Sequence, residues 1–259
     1  WSIEDPYLYN VDARVSVGGR AVDAERVVHG IRTIAFTPDS GFLLNGVRVP
    51  LQGVCLHHDL GPLGAAAFDR GIERQLEIMK QMGVNAIRTS HNPPAPALLD
   101  YADRMGFVVM DEVFDEWKRN KTRFGYGQFF DDWSERDTRD MVRRDRNHPS
   151  IVMWSIGNEI NEQGDTLRAE PMATRLAGFV REEDSSRFVT SAMNSPDRAL
   201  RTGFNKPLDL FGVNYNLGIY ERVRGSKTYG SETSSNYSSR DQYNLVLKDG
   251  EPQILKQLN

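Results

Sequence analysis

Two glutamates stand where hydrolytic chemistry is easily built. Glu159 follows the apolar run Ile151-Val152-Met153-Trp154-Ser155-Ile156, so it emerges at a strand end on a rigidly held backbone. Glu232 emerges after a weaker strand, residues 228–231. Two carboxyl groups from different strands, facing one pocket, are equipment for cleaving glycosidic bonds. One must be protonated to help the leaving oxygen depart; the other must be ionised to attack the anomeric carbon or activate water. A separation of roughly 5–5.5 Å predicts retention of configuration through a covalent intermediate, and a wider one predicts inversion. Taken singly, either glutamate would be a solvated rim carboxylate. The run before Glu159 argues against that, and the residues around Glu232 argue much less.

From about Leu51 onward, strand and helix patterns alternate. Strands are expected at 52–57, 84–88, 107–110, 151–156, 188–190, 210–213 and 228–231. Ile72, Leu76, Met79 and Met82 fall at helical spacing before Gly83, a second helix ends at Gly106, and longer helices cover 133–146 and 167–183. Such alternation means a parallel sheet covered by helices. A doubly wound sheet would carry a glycine-rich phosphate turn after its first strand, and Cys55-Leu56-His57-His58-Asp59 is not one. A barrel collects its polar groups at the carboxyl ends of many strands. Here His57, Arg88, His91, Asp111, Glu112, Asn158, Glu159, Asn214, Tyr215 and Glu232 all lie at such ends. The expected fold class is therefore α/β, a (β/α)8 TIM-type barrel.

After Glu232 the remaining residues hold the polar turn Lys248-Asp249-Gly250 and no convincing strand–helix–strand, so the barrel is expected to be incomplete after strand seven. Two unpaired strand edges would then need the remainder of a longer chain or an oligomeric partner. At the other end, short alternating strands run through 7–17 and 26–34 around Gly18-Gly19, and a hairpin is signalled by Asn45-Gly46 within 42–49. Residues 1–40 read as the last strands of an immunoglobulin-like β-sandwich, and 41–259 as the barrel domain. The chain opens at Trp1 in strand-like sequence, which suggests a segment of something longer.

The run Asn147-His148-Pro149-Ser150-Ile151-Val152-Met153-Trp154-Ser155-Ile156-Gly157-Asn158-Glu159 resembles the acid/base signature of glycoside hydrolase family two, the β-galactosidases, β-glucuronidases and β-mannosidases. Gly53-Val54-Cys55-Leu56-His57-His58-Asp59, Asn85-Ala86-Ile87-Arg88-Thr89-Ser90-His91-Asn92-Pro93 and Val109-Met110-Asp111-Glu112 resemble the family's first three barrel strands, in order. Trp1 to Tyr9 resembles the sandwich domain that precedes them. The resemblance implies a retaining mechanism with Glu159 as acid/base and Glu232 as nucleophile. It implies that Asn158 bonds the sugar 2-hydroxyl, that Tyr215 orients Glu232, and that Arg88 lies beside Glu232, where a cation favours the ionised carboxylate. His57 and His91 match positions that hold sugar hydroxyls; Asp111, Glu112 and Asp115 are expected as hydroxyl acceptors or as buried partners of Arg88.

The Leu56-His57-His58-Asp59 run and Glu232-Thr233-Ser234-Ser235 look like β-galactosidase-type members, and the Asn-x-Lys element that resembles β-glucuronidases is not found. The expected activity is hydrolysis of terminal β-galactosides by an exo-acting, retaining enzyme. The alternatives are a β-glucuronidase or other β-glycosidase of the same family, or an inactive carbohydrate-binding remnant. Nothing matches the tryptophan that the family's eighth strand brings beneath the sugar.

Composition narrows the rest. A net charge of −4 without a basic stripe argues against nucleic acid as partner. No apolar run reaches the roughly 18 residues of a membrane helix. One cysteine, Cys55, rules out an internal disulfide, and its place inside a strand predicts a buried, inert thiol. His57, His58, Asp59 and His91 lack the spacing that would organise a metal site, and the mechanism calls for no cofactor. Trp117 and Trp133 are balanced between sugar stacking and packing. The sequence does not fix a compartment.

Overall fold

The computed structural model describes residues 1–234. Strands β1 (Tyr9–Val17) and β2 (Arg20–His29) pair antiparallel across Gly18 and Gly19, whose φ of 56° and 79° suit residues without a Cβ. This ribbon leaves Val11, Val15, Val17, Val22 and Val28 exposed, as sandwich strands without an opposing sheet would be. Strands β3 (Ile34–Thr37), β4 (Gly41–Leu44) and β5 (Val47–Arg48) form a second antiparallel sheet, turned at Asn45-Gly46. Phe36, Phe42 and Leu44 join Trp1 and Ile3 in a cluster against Val108, Met110, Val152 and Leu210, which closes the lower end of the barrel. Arg32 fastens the connection through Nη2, 2.6 Å from the carbonyl of Ile151.

The barrel sheet holds seven parallel strands in strict chain order: β6 (Gly53–His57), β7 (Ala86–Ser90), β8 (Val108–Glu112), β9 (Ile151–Asn158), β10 (Phe188–Met193), β11 (Phe211–Asn214) and β12 (Thr228–Glu232). Every residue of β9 is buried, the mark of a strand covered on both faces. Helices α1 (Asp69–Gln81), α2 (Pro96–Met105), α3 (Phe130–Asp145) and α4 (Ala169–Glu183) supply the outer cover through Leu76, Leu99, Val142 and Leu176. Gly106 ends α2 with φ 73°, and a Cβ there would stand 2.2 Å from the carbonyl oxygen of Ile3. A fifth helix, α5 (Pro196–Thr202), was not expected from the sequence; at seven residues it is too short for its periodicity to register.

Among the described residues β6 and β12 are the sheet edges, yet the sheet curls far enough that Cys55 Sγ on β6 lies 3.4 Å from the Ser231 carbonyl on β12. This is an incomplete TIM-type barrel, as expected. The Lys248-Asp249-Gly250 turn lies outside the described residues. Cys55 corrects the reading of a buried thiol: on an edge strand it is exposed.

Candidate active site

The upper barrel interior is built around Arg88, which points inward from β7 with 4% of its side chain exposed. Its fork serves several partners. Nη2 lies 2.9 Å from Glu112 Oε1 and 2.8 Å from Asn158 Oδ1, and Nη1 lies 2.5 Å from Glu232 Oε1. A lysine could not span these acceptors, because only a planar guanidinium presents several donors in fixed directions. Glu112 is fully buried on β8 and also accepts from Ser155 Oγ at 2.7 Å. Burial pushes its carboxyl up, but Arg88, His91 and Ser155 outweigh burial and hold it below the usual range. An ionised carboxylate has no proton to donate, so the 2.7 Å contact with His91 requires the proton on Nδ1. His91 Nε2 is then directed toward Glu232, 3.7 Å away.

Asn158 and Glu159 end β9. Asn158 Oδ1 accepts from Arg88 and, at 3.2 Å, from Asn214 Nδ2, which fixes its amide and leaves Nδ2 to donate to Asp115 Oδ1 at 2.9 Å. Glu159 has φ 45°, uncommon for a residue with a side chain, and its N–H bonds the Ala192 carbonyl at 2.7 Å. Its carboxylate accepts from Asn214 Nδ2 at 2.9 Å and Asn194 Nδ2 at 3.2 Å. On β11 the pattern repeats: Asn214 is followed by Tyr215 at φ 60°, whose N–H bonds the Glu232 carbonyl at 2.7 Å. The Tyr215 hydroxyl donates to Glu232 Oε2. Partial burial and then this bond push its phenol up, so it stays a donor.

Most of the sequence-predicted residues therefore share one polar layer. Arg88, His91, Asn158, Glu159, Tyr215 and Glu232 are linked by the bonds above, and the His57 ring meets His91 edge-on at 5.0 Å between centroids. Asp111 is a correction. Met110 and Glu112 point into the barrel, so Asp111 between them points out, to Thr89 Oγ1 at 3.2 Å and toward Asp145 on α3. Trp117 is fully buried, its indole N–H bonded to the Ile156 carbonyl at 2.8 Å, while Trp133 is 43% exposed on α3. Asn214 was counted among the strand-end polar groups but given no role, and Asn194 was not selected from the sequence. The parallel between Asn158-Glu159 and Asn214-Tyr215, each closing a strand, was the available signal for the former; Asn194 had none. Among the described residues no three histidines, cysteines or acids group to hold a metal ion.

The sequence model described as "Glycosyl hydrolases family 2, TIM barrel domain" matches residues 36–244. The chain belongs to glycoside hydrolase family 2. A family 2 β-galactosidase of Bacteroides ovatus is 43% identical over 245 residues, covering 83% of this chain and 29% of that protein. A putative β-glucuronidase of Formosa agariphila is 38% identical over 215 residues, covering 83% of this chain and 19% of that protein. The crystal structure of a family 2 member from Bacteroides cellulosilyticus superposes with a TM-score of 0.84 at 44% identity, covering 89% of this chain and 30% of that one. The chain thus spans less than a third of the length of these family 2 proteins.

Proposed function

We propose that this chain is the catalytic portion of a retaining β-glycosidase that removes terminal β-galactosyl units by double displacement. Glu232 attacks C1 from below while Glu159 gives its proton to the departing glycosidic oxygen, which leaves a glycosyl ester on Glu232. Glu159, now ionised, takes a proton from water; the water oxygen bonds C1 and the ester bond breaks, freeing Glu232. Asn158 engages the sugar 2-hydroxyl, Tyr215 and Arg88 hold Glu232, and His57 and His91 take further hydroxyls. The supporting observation is the bond sequence Glu159–Asn214–Asn158–Arg88–Glu232, which ties both carboxylates into one polar layer. Arg88 and Lys121 are committed to carboxylates in that layer, which favours a neutral sugar over a uronate.

Residues 1–40 belong, in this reading, to a sandwich domain and 41–259 to the barrel, with β3 pairing across that boundary to β4. In this reading activity requires the remainder of a longer chain or an oligomeric partner. The test compares the full-length protein with Glu159→Ala and Glu232→Ala on nitrophenyl β-galactoside and β-glucuronide. Loss of at least a thousandfold in turnover on the galactoside is expected from each variant, with the β-anomer as the first-formed product by NMR. Unchanged turnover in both variants rejects the assignment, and faster cleavage of the glucuronide replaces the substrate.

A further inference from the structure

A cavity of about 580 Å³ lies beside the polar layer, bounded by the loops after β7 and β8 and by α3. Two residues join it to the catalytic group. His91 lines it, and so does Asp115, whose Oδ1 holds Asn158 Nδ2 and Lys121 Nζ at 2.9 and 2.8 Å. Burial pushes the Asp115 carboxyl up, but those two donors outweigh it and keep it low, so it serves as an acceptor. Glu159 is not part of the lining.

The wall opposite is mixed in character. Phe114 and Tyr126 stack at 4.7 Å between centroids, and Met141 is a buried apolar neighbour in the lining. The Tyr126 hydroxyl donates to Asp137 Oδ2 at 2.6 Å, which leaves Oδ1 of that carboxylate for another donor. The size suits a small ligand, and apolar walls with a few placed acceptors suit one with hydroxyl edges and an apolar face.

We propose that this cavity is a second sugar subsite, which receives a neutral hexosyl group carried on the 3-oxygen of the galactosyl unit. The inference rests on the glycosidase reading and extends it past terminal sugars. If Asn158 engages the 2-hydroxyl, the cavity reached through its partner Asp115 opens on the C2–C3 side of the ring and away from the leaving group that Glu159 serves. The 2-oxygen is occupied by Asn158, so the exit for a substituent is the 3-oxygen, on the side of His91. Carboxylates in the lining oppose a sulfated or uronic substituent. Lys121 and Arg136 pair with Asp115 and Asp140, just as Asp145 and the Pro94 carbonyl hold Arg144, so the excess negative charge in the lining comes from Glu116 and Asp137.

The test uses the full-length protein and three nitrophenyl β-galactosides: unsubstituted, 3-O-α-glucosyl and 3-O-sulfo. The α linkage keeps a β-glycosidase from trimming the substituent first. The glucosylated substrate is expected to match or exceed the plain one in kcat/KM and to release its disaccharide intact, with the sulfated one at least tenfold poorer than the glucosylated. A hundredfold deficit for the glucosylated substrate overturns the subsite while the glycosidase reading stands. Equal cleavage of sulfated and glucosylated substrates overturns the neutral assignment, and no cleavage of any of the three overturns both readings.

Discussion

Arg88 Nη1 stands 2.5 Å from Glu232 Oε1, while the rest of the same guanidinium is spent on Glu112 and Asn158. One buried cation therefore sets the position of a carboxylate on β12, a carboxylate on β8 and an amide on β9. Such a hub is costly to desolvate and costly to break. Removing one member of a buried, hydrogen-bonded ion pair typically destabilises by about 3–5 kcal/mol, because its partners are left charged and unpaired.

Replacing Arg88 by lysine keeps the charge and loses the fork. In the full-length protein, Arg88→Lys is expected to lower kcat/KM for the nitrophenyl galactoside at least a hundredfold, about 2.7 kcal/mol of transition-state stabilisation. Thermal unfolding should also move down. Wild-type kinetics in this variant would show that charge alone matters at this position.

Asn214 acts through others. Its Nδ2 holds Glu159 Oε1 and Asn158 Oδ1, and its Oδ1 accepts from Ser231 Oγ at 2.6 Å. Asn214→Ala should lower kcat roughly tenfold to a hundredfold and leave KM within about threefold, since misaligned groups harm the transition state more than ground-state binding. A rise in KM at unchanged kcat would assign Asn214 to substrate binding instead.

At the opposite end of the barrel, His148 donates through Nδ1 to Asp103 at 2.6 Å, and Asp103 also accepts from the Ser150 N–H at 3.0 Å. Burial pushes the His148 imidazole down, but Asp103 outweighs it and the net shift is upward. A raised value in the folded state means added stability that is full below the unfolded value, about 6.5, and lost as pH rises through the folded one. The melting-temperature difference between wild type and His148→Asn should therefore be larger at pH 5.5 than at pH 9. A difference that grows with pH would contradict the pairing.

The barrel was legible because its outer faces obey simple periodicity: the helical spacing of Ile72, Leu76 and Met79, and the unbroken apolar run of β9. Strand ends were less legible. The apolar pattern stops at Arg88 and Met110, whereas the strands continue to Ser90 and Glu112, because the top of the barrel interior is polar. Hydrophobic patterning ends a strand where its core ends, and here that falls below the polar layer. Of the two roles expected for Glu112, hydroxyl acceptor or buried partner of Arg88, the structure shows the second: it is fully buried and ion-paired with Arg88. Asn194 follows β10 in a stretch with no sequence signal, and only tertiary structure brings it to Glu159.

Asp111 gives the sharpest contrast between position in sequence and position in space. It adjoins Glu112, and the family resemblance suggested a hydroxyl acceptor or a buried partner of Arg88, yet it faces α3. Burial, and then the neighbouring Asp145, push its carboxyl well above the usual range, against a weaker pull from Arg144. A carboxyl with a raised folded value contributes stability that is complete below the unfolded value, about 3.9, and is lost as pH rises through the folded one. Asp111→Asn, an uncharged group of the same shape, should thus raise the melting temperature at pH 8–9 and change it little near pH 4. Its kcat/KM should stay within about threefold of wild type at every pH, because its carboxyl faces Thr89 Oγ1 and Asp145, away from Glu159 and Glu232. A hundredfold loss of activity without loss of stability would return Asp111 to the sugar-binding group.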